Sequence, residues 1–234
     1  MKKIVLAIAV LMSVAGVKAQ EFSVGADVVS SYLWRGQYLG GTAIQPGLSF
    51  SAAGFSIGAW SSVDLINISN VKEFDLSIGY EIAGISVGIT DYYIATQGDA
   101  GYFNYDGEAG SAHTLEATIG YTLPIESLPL SLSWSTNFYG SDGLNNDGKT
   151  AYSSYFEVAY PFSVKDISLN AAVGITPWAT SFYGNSTESG FNVINLALTA
   201  SKEIKIADFT IPAFAQIVVN PRTEDAFLVF GVSF

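Results

Sequence analysis

Apolar and polar residues alternate with a period of two along most of the chain. In SLSWSTNF, Leu132, Trp134, Thr136 and Phe138 share one parity, and Ser131, Ser133, Ser135 and Asn137 take the other. In FDLSIGYEI, Phe74, Leu76, Ile78, Tyr80 and Ile82 stand against Asp75, Ser77, Gly79 and Glu81. In ISLNAAVGI, Ile167, Leu169, Ala171, Val173 and Ile175 stand against Ser168, Asn170, Ala172 and Gly174. An amphipathic helix cannot use this pattern, because its apolar residues recur every three to four positions. A two-faced strand can. The alternation predicts twelve strands near 22–34, 43–52, 55–64, 72–82, 85–94, 112–122, 129–139, 150–160, 167–176, 191–201, 208–219 and 225–234.

The joints between segments alternate in length. Ala53-Gly54, Ala83-Gly84, Pro124 to Ser127, Pro161 to Asp166 and Lys202 to Ala207 are tight, whereas QGDAGYFNYDGEAG and GSDGLNNDGK are long and polar. Short turns on one rim and longer loops on the other are the plan of an up-and-down antiparallel transmembrane β-barrel. The polar face is dominated by small residues, and the apolar face by Leu, Ile, Val and Phe. A water-soluble β-sandwich would cover its exterior with Lys and Glu, yet charged residues make up only 13% of this chain. The faces therefore read inside out, with apolar side chains in lipid and small polar ones in the lumen. Closure is required, since an open sheet edge in lipid leaves backbone groups unpaired.

Residues 1–19 have the form of a signal peptide: a basic start at Lys2 and Lys3, an apolar stretch from Ile4 to Val17, and a small residue at Ala19. Residues 20–234 are then the barrel, with seven basic residues against 21 acidic ones, a net charge of −14. Such a surface disfavours nucleic acid as a partner. The chain has no cysteine, which excludes disulfides and thiolate metal sites, and its motifs call for no cofactor. The final strand ends on Phe234, in phase with Val232, Phe230 and Leu228. A terminal phenylalanine of this kind resembles the signal read by the barrel-assembly machinery of the Gram-negative outer membrane.

The stretch DVVSSYLWRGQYLGGTAIQPGLSFSAAGFSIGAWSSVDL, followed by the Glu73/Asp75 strand, carries a family likeness. Asp27, Ser30, Tyr32, Trp34, Arg35 and Gly36 form one motif, Ala43 and Gln45 a second, and Gly54, Phe55, Gly58, Trp60, Ser62, Val63 and Asp64 a third. Glu73, Asp75, Gly79 and Tyr80 form a fourth. Together they resemble the N-terminal signature of the TorF-type, or Gcw_chp, porins, over residues 22–95. Phe74 stands where that pattern more often has a small aliphatic residue. The resemblance implies an outer-membrane barrel with a pore function and names no solute.

Parity assigns candidate residues to each face. Continuing the first strand through residue 34 places Tyr32 and Trp34 outward and Asp27, Ser31 and Arg35 inward. Glu73, Asp75, Glu81, Glu116 and Glu157 also point inward, beside Trp60, Tyr92, Tyr139 and Tyr155. An isolated guanidinium in such a lumen needs a carboxylate, and Asp64, Glu73 or Asp75 is the expected partner of Arg35. The acidic, aromatic-lined interior favours cations or neutral, sugar-like solutes. The same charges would equally fill and rigidify a closed barrel with a structural or surface-interaction role. Tyr32, Trp34, Trp134, Phe138, Tyr160 and Phe234 are assigned to the aromatic girdle in contact with outer-membrane lipid.

Two minor alternatives complete the reading. Ser111 and His113 share the outward parity near the rim, which raises a lipid hydrolase, but the order Ser-x-His lacks a third member. The acidic loop residues Asp99, Asp106, Glu108, Asp142 and Asp147 could attract calcium, yet DGLNNDGKT lacks the terminal glutamate of an EF-hand loop. The expected protein is a pore and not an enzyme.

Overall fold

The computed structural model describes residues 20–66, 72–95, 101–106, 111–183 and 190–234. The segment expected to be a signal peptide, residues 1–19, lies outside the described residues.

The wall is a closed antiparallel barrel of twelve strands. They are β1 (Glu21–Val29), β4 (Ala43–Ala52), β5 (Phe55–Asp64), β6 (Lys72–Ile82), β7 (Ile85–Ala95), β8 (His113–Thr122), β9 (Ser131–Gly140), β10 (Ser154–Val164), β11 (Ile167–Thr176), β12 (Asn192–Ile206), β13 (Phe209–Asn220) and β14 (Asp225–Ser233). Two further short strands, β2 (Tyr32–Trp34) and β3 (Gln37–Gly40), pair only with each other. Each wall strand pairs with its chain neighbour, and β14 closes on β1. That seam is short: Asp27 faces Ser233 and Val29 faces Gly231, and Ala26 exchanges backbone bonds of 3.0 and 3.1 Å with Phe234.

The period of two decides which solvent each face meets. Ile57, Ile78 and Ile89 stand side by side on β5, β6 and β7, each about half exposed on the outside. Leu48, Ile119, Leu198, Ile217 and Phe230 extend the same apolar band. Water on such a surface would cost about 25 cal/mol per Å², so this is a membrane face. Small residues occupy the inward row Ser49, Gly58, Ser77 and Thr90. This is the architecture of an outer-membrane barrel, with the short turns on the periplasmic rim.

Some boundaries differ from expectation. Pro161 lies within β10 and faces Asn170, and β12 runs on through Lys202 to Ile206, so these two turns are tighter than the sequence suggests. They close at Lys165 and Ala207, both with positive φ, as does Ala53 before Gly54. The larger correction concerns the first segment. It does not run to residue 34 as one strand: β1 ends at Val29, and residues 32–40 fold back as the β2–β3 hairpin.

Candidate functional site

The turn of that hairpin is Arg35-Gly36, with φ of 49° and 79°. Two successive positive φ values are what a tight two-residue hairpin turn requires. Glycine takes this conformation freely, whereas a side-chain-bearing residue pays of order 1–3 kcal/mol for it. Arg35 is held there by its contacts. A Cβ on Gly36 would lie 1.8 Å from the carbonyl oxygen of Ile194 on β12, so the tip rests backbone to backbone on the wall. Asn220 on β13 donates to the Gly36 carbonyl at 3.1 Å.

From this tip Arg35 reaches across the lumen to β8. Its Nη1 donates to Glu116 Oε2, and its Nη2 to Glu116 Oε1 at 2.9 Å. The fork is bidentate, which makes it a strong, oriented ion pair. Nη1 also donates to the Tyr183 hydroxyl at 2.6 Å and Nη2 to Ser135 Oγ on β9 at 3.0 Å. The guanidinium carbon sits 4.4 Å from the Trp34 ring and 4.6 Å from the Tyr155 ring. Glu116, itself 1% exposed, further accepts from Tyr92 at 3.0 Å. The expected partners Asp64, Glu73 and Asp75 are not the ones used. Those three line the wall close to the base of the hairpin, whereas the hairpin carries the guanidinium to the far side.

The girdle assignment of Tyr32 and Trp34 is corrected for the same reason. Once the chain leaves the wall at Ser30, wall parity no longer applies. Trp34 packs inside against Tyr92, Phe182 and Tyr183 at 5.6–6.0 Å between ring centres. Tyr32 packs on Trp60 at 5.6 Å and shares the lining of a small cavity with Glu73. Leu33 joins Val29, Ala43, Val229 and Phe214 in a small apolar cluster on the inner wall. Tyr139, expected inward, faces out, because a bulge between Leu115 and Glu116 sets it opposite Leu115 and Asn137 opposite Glu116. Trp134, Phe138 and Phe234 are exposed on the outside, and Tyr160 is stacked on Phe162.

The remaining inward carboxylates differ in their surroundings. Glu157 accepts from the Tyr155 hydroxyl, to which Asn195 donates at 3.0 Å. Asp64 accepts the backbone N–H of Gly41 at 3.2 Å and of Ile66 at 2.8 Å, fixing the return of the hairpin to the wall. Glu81 is exposed at the short-turn rim. Asp27 lines the lower lumen. Two cavities occupy that lumen, one of 340 Å³ directly beneath the hairpin and one of 660 Å³ towards the short-turn rim. They share Gln45, Trp60, Asp75 and Tyr92 as lining.

Ser111 and His113 do not form a catalytic pair. His113 is fully buried; its Nδ1 meets Asp91 Oδ1 at 2.8 Å and its Nε2 meets the Tyr102 carbonyl. Ser111 Oγ accepts from the His113 backbone and donates to the Asn104 carbonyl. The imidazole thus has no nitrogen left to take a proton from serine. It serves instead to pin loop residues 102–105, with Tyr105 stacked on it at 3.9 Å. Among the described residues no group of three metal-ligating side chains occurs. Asp142 spends its carboxylate on Asn137 and the Ser153 N–H. Asp99 and Glu108 lie outside the described residues.

The model of the family described as "Bacterial protein of unknown function (Gcw_chp)" matches residues 15–211. Among curated proteins no sequence match is found. The fold is similar to the COG4313 outer membrane channel from Pseudomonas putida F1, at 14% identity and a TM-score of 0.45, covering 94% of this chain and 96% of that one. It is also similar to OmpF of Salmonella typhi, solved in complex with daunomycin, at 8% identity and a TM-score of 0.41, covering 91% and 97%. At such identities and scores the likeness carries no functional argument.

Proposed function

The chain belongs to the Gcw_chp family of bacterial proteins of unknown function, and on the chemistry of its own lumen we propose that it is a narrow channel of the Gram-negative outer membrane for small solutes. The observation that carries this reading is the division of the lumen. Its periplasmic part holds cavities lined by Ser, Gly and Thr, while its extracellular part is crossed by a folded segment of the same chain. A barrel filled only for rigidity would pack side chains through its whole length. Here the obstruction is the β2–β3 hairpin, with Phe182 and Tyr183 of the β11–β12 connection packed against it.

Asp27, Asp75, Glu73, Glu116 and Glu157 set the sign of the lumen, and Arg35 is the cation that crosses it. Passing cations and neutral solutes are favoured over anions by this charge balance. Arg35 acts as the constriction, its charge neutralised by Glu116. The chain enters the membrane through its terminal Phe234 strand, which closes the wall against Ala26 and offers the assembly machinery its end. Passage through the barrel is passive diffusion down the solute's gradient.

Reconstitution into planar bilayers tests the reading. The expected result is small, discrete steps with a reversal potential on the cation side in a potassium chloride gradient. Anion selectivity, or a complete lack of steps at any voltage, would overturn it.

A further inference from the structure

Asp75 is the inward carboxylate that the hairpin leaves without a donor. It is 9% exposed, and its Oδ1 is enclosed with no hydrogen-bond partner among the described residues. Its neighbour Glu73, two positions along β6, lines a separate small cavity with Tyr32 and Asp64, and Arg35 is committed to Glu116. No Lys, Arg or His lines either lumen cavity. A carboxylate removed from water without a counter-charge is costly, so a complementary group is expected in the space it faces.

The strand register shows which kind. Across the sheet, Trp60 on β5 stands directly beside Asp75, and Tyr92 on β7 stands on its other side. The carboxylate thus lies between two aromatic rings on one inward rank. That rank continues to Gly47 on β4 and Gly25 on β1, which line the 660 Å³ cavity together with Trp60. Both rings are braced, Trp60 by Tyr32 and Tyr92 by Trp34 and by its bond to Glu116. The 340 Å³ cavity above them is within the size range of small-ligand sites.

We propose that the Trp60–Asp75–Tyr92 rank is a binding site for a small organic ammonium ion, entered from the periplasmic cavity beneath the hairpin. The carboxylate supplies the charge and the ring faces supply cation–π attraction, the combination that recognises quaternary ammonium groups. A divalent metal fits less well, because it needs several oxygen ligands and no group of three metal-ligating side chains occurs among the described residues. The site rests on the lumen assigned above but not on conduction: it requires only that the cavity be reached from water.

Tryptophan fluorescence of the full barrel in detergent tests it, with choline as the probe and its uncharged isostere 3,3-dimethylbutan-1-ol as the control. Choline should give a saturable change at constant ionic strength, and the neutral isostere none. Asp75→Asn should weaken choline binding at least tenfold. An equal response to both ligands on the native chain overturns the proposal, whether or not the variant folds. So does undiminished choline binding in a folded Asp75→Asn barrel, or saturation by potassium at the same concentration. Choline binding by a barrel that never conducts would retain the site and remove the channel; conduction without choline binding would do the reverse.

Discussion

Two carboxylates on opposite sides of the hairpin, Glu116 on β8 and Asp75 on β6, carry the same sign of charge into the lumen, yet they satisfy it differently. Glu116 is saturated: it accepts two bonds from Arg35 and one from Tyr92. Asp75, on the rank of Trp60 and Tyr92 beneath the hairpin, has an enclosed oxygen with no hydrogen-bond partner among the described residues. The difference does not come from depth in the wall, since both are inward residues three positions from the long-loop end of their strands. It comes from the hairpin, which brings a cation to one and ends its reach short of the other. A buried charge is stabilised by what is brought to it, and here one segment decides where the lumen is closed and where it is receptive.

The contrast is sharpest at Arg35. Replacing it with Ala leaves Glu116 buried without a counter-charge, and breaking a buried pair in this way costs about 3–5 kcal/mol. Urea unfolding in vesicles should show that loss. Arg35→Ala combined with Glu116→Gln should recover a large part of it, because the uncompensated charge is gone. A double variant no more stable than the single one would mean that the hairpin, rather than the ion pair, carries the energy.

Gly36→Ala attacks the same contact through the backbone. The added Cβ meets the Ile194 carbonyl and must also adopt a left-handed conformation, so the tip should lift at a cost of roughly 1–2 kcal/mol or more. Limited trypsin digestion reads this directly: the Arg35–Gly36 bond, protected in the native barrel, becomes cleavable. Continued protection would show that the tip is not seated on β12.

A smaller and purely local effect is expected outside the lumen. His113→Ala removes the bonds to Asp91 and the Tyr102 carbonyl, worth on the order of 1–3 kcal/mol to the loop. Hydrogen exchange should speed up over residues 101–106 and leave the β2–β3 amides unchanged. Smallest of all is the exposed pair of Lys202 and Asp166, 2.8 Å apart at the short-turn rim. Its hydrogen bond holds the Asp166 carboxyl below the usual range, but water competes at both partners, and Lys202→Ala should leave unfolding unchanged. Both are ion pairs, but one is a buried bidentate fork and the other an exposed single contact.

The wall was legible in the sequence because its period is strict. Positions such as Ile57, Ile78 and Ile89 on one side and Ser49, Gly58 and Ser77 on the other follow from alternation alone. The hairpin was hidden by the same property: Ser30 to Arg35 continues the alternation of β1, so parity placed Tyr32 and Trp34 in lipid. Two local signals pointed the other way. A first strand of thirteen residues exceeds the roughly 9–11 needed to span, and Arg35-Gly36 stands between Trp34 and Gln37 as Ala53-Gly54 stands between β4 and β5. Neither signal could reveal the partner of Arg35. Glu116 lies 81 residues away, and only a segment crossing the lumen brings them together. Tyr139 was misplaced for a related reason, since a single bulge inverts every position beyond it.

Excising the hairpin tests the central claim most directly. A barrel in which residues 31–41 are replaced by two glycines can still close β1 onto β4, because Val29 faces Ala43 in the native register. Its single-channel conductance in potassium chloride, compared with that of the native chain, should rise severalfold and remain cation-selective. Conductance unchanged in the excised, folded barrel would contradict the claim that this hairpin is what closes the lumen.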